Sequence, residues 1–207
     1  QYITGSAPFR NLEFEVGPGV LVPRPESELL VSAVLTHIAN LEAPVSVIDL
    51  GSGSGALALT IATEAPQARV IAVEKSPEAL IWLKKNVAAI SEDLRIVESD
   101  VVDALPGVKC DVVIANPPYV PNNQKLPRDV AEHEPAVALF GGEDGMDTPR
   151  VFIASAARLL KSGGLLAIEH GEEQGKKIEE ALSVDFEDIR LHNDLSGRPR
   201  WTSAVRK

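Results

Sequence analysis

A single cysteine, Cys110, stands in a chain of 207 residues. No disulfide can form within the chain, and a reducing cytoplasm is the expected setting. Cys110 lies in an apolar run, where a thiol acts as a small buried hydrophobe. No apolar run approaches the roughly eighteen residues needed to cross a bilayer, so no membrane partner is expected. Basic residues are scarce: 20 Lys and Arg stand against 30 Asp and Glu, a formal net charge of −10. Gripping a phosphate backbone takes clustered lysine and arginine, so direct nucleic-acid binding is not expected; a protein or small-molecule partner is. The four histidines, His37, His133, His170 and His192, are scattered and suggest no metal site. There is no internal repeat or low-complexity tract. The only methionine is Met146 and the first residue is Gln1, as expected of a trimmed or processed piece. A single monomeric domain over residues 1–207 is expected.

What is present is organised around Val45 to Leu59, VSVIDLGSGSGALAL. Val45, Val47, Ile48 and Leu50 form a β-branched apolar run that predicts a buried parallel strand ending at Asp49. Gly51, Gly53 and Gly55 follow at a spacing of two, with Ser52 and Ser54 between them, and lead into a helical pattern. Glycines allow a sharp turn and close approach of a ligand, and the helix N-terminus offers free N–H groups. A plain structural turn is the alternative. The G-x-G-x-G spacing differs from the G-x-G-x-x-G of dinucleotide sites. Downstream, Arg69 to Val73 predicts a strand running into Glu74, a carboxylate placed to accept both hydroxyls of an adenosine ribose; otherwise it is a solvated loop acid.

The remaining units alternate. Gln1 to Val22 predicts a lead-in hairpin, and Pro23-Arg24-Pro25 opens a helix with Glu26 and Glu28 in its first turn and Leu30, Val34 and Ile38 on one face. Arg24 is either an ion-pair residue or a ligand contact. Ser76 and Pro77 cap a helix to about Ala89. Strands are predicted at Arg95–Glu98, Cys110–Ala115 and Gly163–Glu169, helices at Asp147–Leu160 and Glu172–Leu182. A final antiparallel hairpin is predicted from Val184–Leu191 and Trp201–Val205 around Ser196 to Pro199. This is an α/β pattern: a doubly wound, Rossmann-like, mainly parallel sheet with an antiparallel C-terminal hairpin and ligands outside the strand ends. Asp49, Glu74, Asp100 and Asn116 all fall at such ends.

The fourth parallel strand runs into Asn116-Pro117-Pro118-Tyr119, a far more specific signal than the glycines. A proline after Pro117 biases it to the extended region and aims its carbonyl. The Asn116 oxygen and that carbonyl make a pair of acceptors suited to a planar NH₂ group and hostile to a carboxylate. Tyr119 can stack on a planar substrate. A merely rigid strand exit is the alternative.

D-L-G-S-G-S-G followed by N-P-P-Y resembles the class I methyltransferases that use S-adenosylmethionine and act on planar nitrogens. Y-I-T-G (Tyr2 to Gly5), L-V-P-R-P-E-S-E (Leu21 to Glu28), E-P-A-V-A-L (Glu134 to Leu139), the glycines of Gly141 to Gly145 and E-H-G (Glu169 to Gly171) narrow this. Together they resemble the release-factor glutamine methyltransferases, whose substrate is the glutamine of the Gly-Gly-Gln loop in peptide-chain release factors. The resemblance implies that Asp49 and Gly51 to Gly55 line the cofactor, Glu74 holds its ribose, Asp100 lies at the cofactor, Val101 after it flanks the adenine, and Asn116 sits beside cofactor and substrate. Pro117, Pro118, Tyr119 and Arg24 are the further substrate candidates, with Asn116, Pro117 and Tyr119 carrying the chemistry. Glu74 is commonly aspartate in that family, and the Val101 position is often aromatic. The family also carries a helical domain before this region, expected here to be absent and to supply part of the release-factor surface. The alternatives are a nucleic-acid adenine or guanine methyltransferase, which the charge opposes, and a non-catalytic or NAD-type nucleotide-binding domain, which leaves Asn-Pro-Pro-Tyr unexplained.

Overall fold

The computed structural model describes residues 1–91 and 93–207. A two-stranded antiparallel hairpin, β1 (Ser6–Phe9) and β2 (Leu12–Glu15), leads into α1 (Ser27–Ile38). The alternating units follow: β3 (Val45–Leu50), α2 (Ala56–Glu64), β4 (Ala68–Glu74), α3 (Pro77–Ile90), β5 (Arg95–Glu98) and β6 (Cys110–Ala115). Two short helices, α4 (Arg128–His133) and α5 (Ala136–Leu139), precede α6 (Asp147–Leu159), β7 (Leu160–Glu169), α7 (Gly175–Leu182), β8 (Phe186–Asn193) and β9 (Pro199–Arg206).

Seven strands form one sheet in the order β5-β4-β3-β6-β7-β9-β8. The first five run parallel; β9 is antiparallel to β7 and β8 antiparallel to β9. The order reverses between β3 and β6, the switch point at which open α/β sheets leave a crevice beyond their strand ends.

Alternation along the central strands explains why both faces are covered. Val45, Val47, Val112 and Ile114 belong to the apolar cluster shared with α1, α2 and α3, whereas Ile48, Leu50, Val113 and Ala115 join the one shared with α6 and α7. Burying each such aliphatic chain contributes about 1.5–3 kcal/mol. The predicted stripe of α1 is intact, since Leu30, Val34 and Ile38 are wholly buried. Ser76 caps α3 by accepting from the Ala79 N–H at 3.3 Å, with Pro77 in the first turn. Cys110 is buried with its Sγ 3.5 Å from the Leu159 carbonyl, and burial pushes the thiol up to about 12, which leaves it inert.

Several boundaries differ from expectation for identifiable reasons. Helix α7 starts at Gly175, not Glu172, because Gly171 to Gln174 form a turn closed by the Gln174 N–H on the Gly171 carbonyl. Glu26 is the residue before α1 rather than part of its first turn. Strand β3 extends one residue past Asp49 to Leu50. The final hairpin turns around Asp194, whose Oδ1 accepts from the Ser196 and Arg198 N–H groups, so β9 begins at Pro199. Helices α4 and α5 were not anticipated. Each starts directly after a proline, Pro127 or Pro135, which has no N–H to leave unpaired.

Candidate active site

The three glycines after β3 do different work. All have positive φ, at 71° for Gly51, 55° for Gly53 and 86° for Gly55, where any side chain is strained. At Gly55 an added Cβ would lie 2.7 Å from Leu83 Cδ1, and at Gly51 it would lie 3.0 Å from Phe152 Cε1. At Gly53 nothing stands closer than Val20 Cγ2 at 3.9 Å. Gly51 and Gly55 therefore serve packing, whereas the face at Gly53 is open to a cavity of about 250 Å³. Asn86 of α3 fixes the loop by donating to the Ser54 and Glu15 carbonyls while its Oδ1 accepts from the Glu15 N–H. The lead-in hairpin, α3 and the glycine loop are thereby tied at one buried amide.

Of the expected site residues, Gly51, Ser52, Gly53, Ser54, Glu74, Asp100, Val101, Asn116, Pro118 and Arg24 line this cavity. Leu57, Phe140 and Phe152, which the sequence reading did not single out, add apolar wall. Asp49, Gly55, Pro117 and Tyr119 do not line it.

Glu74 is no solvated loop acid. It is 8% exposed, its Oε1 accepts from the Lys75 and Ser76 N–H groups and its Oε2 from Gly53 N–H, each at 2.8 Å. A carboxylate has about four lone-pair positions, so three are taken and one, on Oε2, is left for a ligand hydroxyl. Beside it Asp100 pairs with Lys75 at 2.9 Å, and this lysine holds its carboxyl below the usual range. Val101 is buried against the wall, its carbonyl held by Arg158.

Asn116, also on the cavity wall, donates from Nδ2 to Ser27 Oγ at 3.3 Å. Among the described residues no donor reaches Asn116 Oδ1 or the Pro117 carbonyl. Arg24 is an ion-pair residue, pairing through Nη2 with both oxygens of Glu134 at 2.5 and 2.6 Å, and it also lines the cavity.

Tyr119 faces elsewhere. Its hydroxyl donates to Glu169 Oε1 at 3.3 Å, and burial followed by the nearby Glu169 charge pushes the phenol well up. It lines an adjoining groove of about 760 Å³ rather than the first cavity, so its ring is not presented there for stacking. Gln174, which sequence reading missed, holds this exit by donating to the Tyr119 and Gly145 carbonyls while accepting from the Gly171 N–H. The glycines of the Gly141 to Gly145 stretch are needed here: a Cβ on Gly141 would sit 2.5 Å from the Pro118 carbonyl oxygen, and one on Gly145 2.2 Å from that of Tyr119.

Asp49 is wholly buried beneath the loop, and among the described residues neither carboxylate oxygen has a hydrogen-bond partner. Burial raises it from 3.8 to about 7. Because the folded state binds the proton more tightly than the unfolded chain, stability falls as pH rises from about 4 to about 7. Asp49→Asn should remove that cost, which is at most about 4 kcal/mol. The ligand-free variant should therefore gain on the wild type by roughly 10 °C in Tm more at pH 8 than at pH 4. Glu169, also raised by burial, to about 6, is common to both proteins and cancels. A Tm difference independent of pH would show that Asp49 is not a buried charge.

Residues 25–133 match the methyltransferase small domain family. The chain is 43% identical over its whole length to a release factor glutamine methyltransferase of Mycolicibacterium smegmatis, covering 74% of that protein. It is 40% identical to one of Streptomyces coelicolor over 99% of this chain and 74% of the relative. In fold it is similar to the 16S rRNA methyltransferase RsmC of Thermus thermophilus, solved with AdoMet and guanosine, with a TM-score of 0.68 at 24% identity over 98% of this chain and 50% of that one. A Pyrococcus furiosus methyltransferase gives a TM-score of 0.68 at 17% identity, covering 94% of this chain and 88% of that one. Identity at this level across the whole chain, on a sheet of this order, places it plainly: the chain belongs to the release factor glutamine methyltransferase family.

Proposed function

We propose that this protein transfers a methyl group from S-adenosylmethionine to the side-chain amide nitrogen of the glutamine in the Gly-Gly-Gln loop of a peptide-chain release factor. The observation that carries this is Asn116, whose Oδ1 meets no donor among the described residues, on the wall of a cavity that the glycine loop and Glu74 also line, with the likewise unpartnered Pro117 carbonyl next to it in the chain.

The residues present fit the cofactor. Gly53 leaves room for close approach, Glu74 Oε2 keeps one acceptor position for a ribose hydroxyl, and Val101, Leu57 and Phe152 offer an apolar wall. When bound, S-adenosylmethionine supplies an electrophilic methyl group on a sulfonium. The chain's own residues must overcome a weak nucleophile, since the amide lone pair is delocalised into its carbonyl. Two acceptors on the two N–H bonds fix the amide plane, and proximity of that kind supplies several kcal/mol. They also stabilise the positive charge that grows on nitrogen, without cost of reorganisation. His170 is buried and bonded to Thr202 and the Gly171 carbonyl, so it cannot act as a base here. The proton leaves after transfer.

The test is mass spectrometry of a purified release factor after incubation with protein and S-adenosylmethionine, with RNA and DNA in parallel arms. One added methyl on the peptide bearing the loop glutamine is the expected result. Methylation of RNA or DNA with none on the release factor would overturn the reading. Calorimetry with S-adenosylmethionine against NAD checks the cofactor separately.

A further inference from the structure

From the wall of the cavity, which Asn116 and Ser27 line, to the buried Glu169 behind it, three side chains far apart in sequence form a directional chain of hydrogen bonds. Glu169, at the end of β7, is 1% exposed. Its Oε2 accepts from the Ser27 hydroxyl at 2.5 Å and its Oε1 from the Tyr119 hydroxyl at 3.3 Å. Ser27 Oγ in turn accepts from Asn116 Nδ2 at 3.3 Å.

The polarity of this chain follows from proton counting. An ionised carboxylate only accepts, and a serine hydroxyl has one proton. Ser27 must give that proton to Glu169, so toward Asn116 it can only accept. The NH₂ end of the Asn116 amide therefore faces Ser27 and its oxygen faces the cavity. The two ends of an amide are nearly the same shape, so packing alone cannot choose between them. A flipped amide would set oxygen against oxygen at Ser27 and turn two donors toward a substrate NH₂ group that is itself a donor.

We infer that Glu169 and Ser27 are positioning residues for methyl transfer, holding Asn116 with its Oδ1 toward the acceptor amide. Neither acts on the reacting atoms directly. The inference rests on the amide-nitrogen substrate proposed above.

Ser27→Ala removes the acceptor that orders Asn116, and Glu169→Gln offers a single acceptor oxygen to two donors while adding an NH₂ group of its own. With a release factor as substrate, both should lower kcat on the order of ten-fold to a hundred-fold, the scale of losing one oriented group. KM and the affinity for S-adenosylmethionine should change far less than kcat, because Ser27 gives the cavity wall only a small hydroxyl and Glu169 does not line it. Ser27→Thr keeps the hydroxyl and should retain most of the turnover. Side-chain amide NMR of the ligand-free protein gives a readout independent of activity: one Asn116 Nδ2 proton should exchange slowly in the wild type, and that protection should vanish in Ser27→Ala and Glu169→Gln. Wild-type kcat in Ser27→Ala, or Ser27→Thr no better than Ser27→Ala, overturns the inference, as does unprotected exchange in the wild type. If the wild type methylates no release factor yet shows the protected proton, the substrate is wrong and the positioning stands. If the Glu169 variant does not fold, the Ser27 pair decides.

Discussion

Asn116→Ala is expected to lower turnover by about a hundred-fold or more while leaving the affinity for S-adenosylmethionine within a few-fold of the wild type. In the proposed mechanism the lost group is one of two acceptors for the substrate amide, and removal of one transition-state hydrogen-bond partner of this kind typically costs on the order of a hundred-fold or more. The fold should survive, because Asn116 is only half-buried and, among the described residues, its side chain bonds to Ser27 alone. Asn116→Asp separates geometry from charge: it keeps an acceptor but brings a second carboxylate toward the buried Glu169, with Ser27 alone between them. Single-turnover rates with labelled cofactor measure the effect free of product release. Near-normal turnover in Asn116→Ala would remove the two-acceptor mechanism.

Glu74→Ala should be costly on two counts. Calorimetry should show cofactor affinity reduced by about ten-fold or more, since a hydrogen bond to a charged group is worth roughly 1.5–3 kcal/mol. Thermal melting should also show a less stable protein, which sequence reasoning alone did not anticipate. The carboxylate that looked like an exposed strand-end acceptor is the partner of three backbone N–H groups, at Gly53, Lys75 and Ser76. Removing it leaves those amides without their acceptor, at a cost of about 1–3 kcal/mol for each that stays buried and unpaired. Glu74→Gln refines the point. Its oxygen can still serve Lys75 and Ser76, but its NH₂ then opposes the Gly53 N–H, so the loop should loosen with a smaller loss of stability. If Glu74→Ala melts early yet binds S-adenosylmethionine normally, the residue organises the loop and does not touch the ligand.

The parts of this site that were legible in the sequence are those governed by local rules. Glycines at a spacing of two after an apolar run need positive φ, and Gly51, Gly53 and Gly55 all have it. Asn116 follows β6 directly, and Glu74 is the last residue of β4. Parallel strands must start and stop at common levels, so acidic and amide residues at their C-terminal ends share one rim of the sheet. The family resemblance, carried by short contiguous motifs, was legible for the same reason.

What lay beyond the sequence depends on strand order and on which way single side chains point. Asp49 was expected at the cofactor, but β3 runs on to Leu50 and the carboxylate is buried under the loop. Tyr119 was expected to stack on a planar substrate, but it lines the second groove, where Gln174 holds the Tyr119 carbonyl and the phenol turns to Glu169. Ser27 and Glu169 stand 142 positions apart, and Asn116 and Ser27 stand 89 apart. They meet only because β6 and β7 are neighbours and α1 packs on β7. Residue type and spacing determined that two acceptors would stand at the end of a strand beside a glycine loop, because backbone dihedrals and strand ends are local properties. Only the tertiary structure decided which end of the Asn116 amide faces the cavity, because that polarity is set by one buried carboxylate brought in from the far side of the chain.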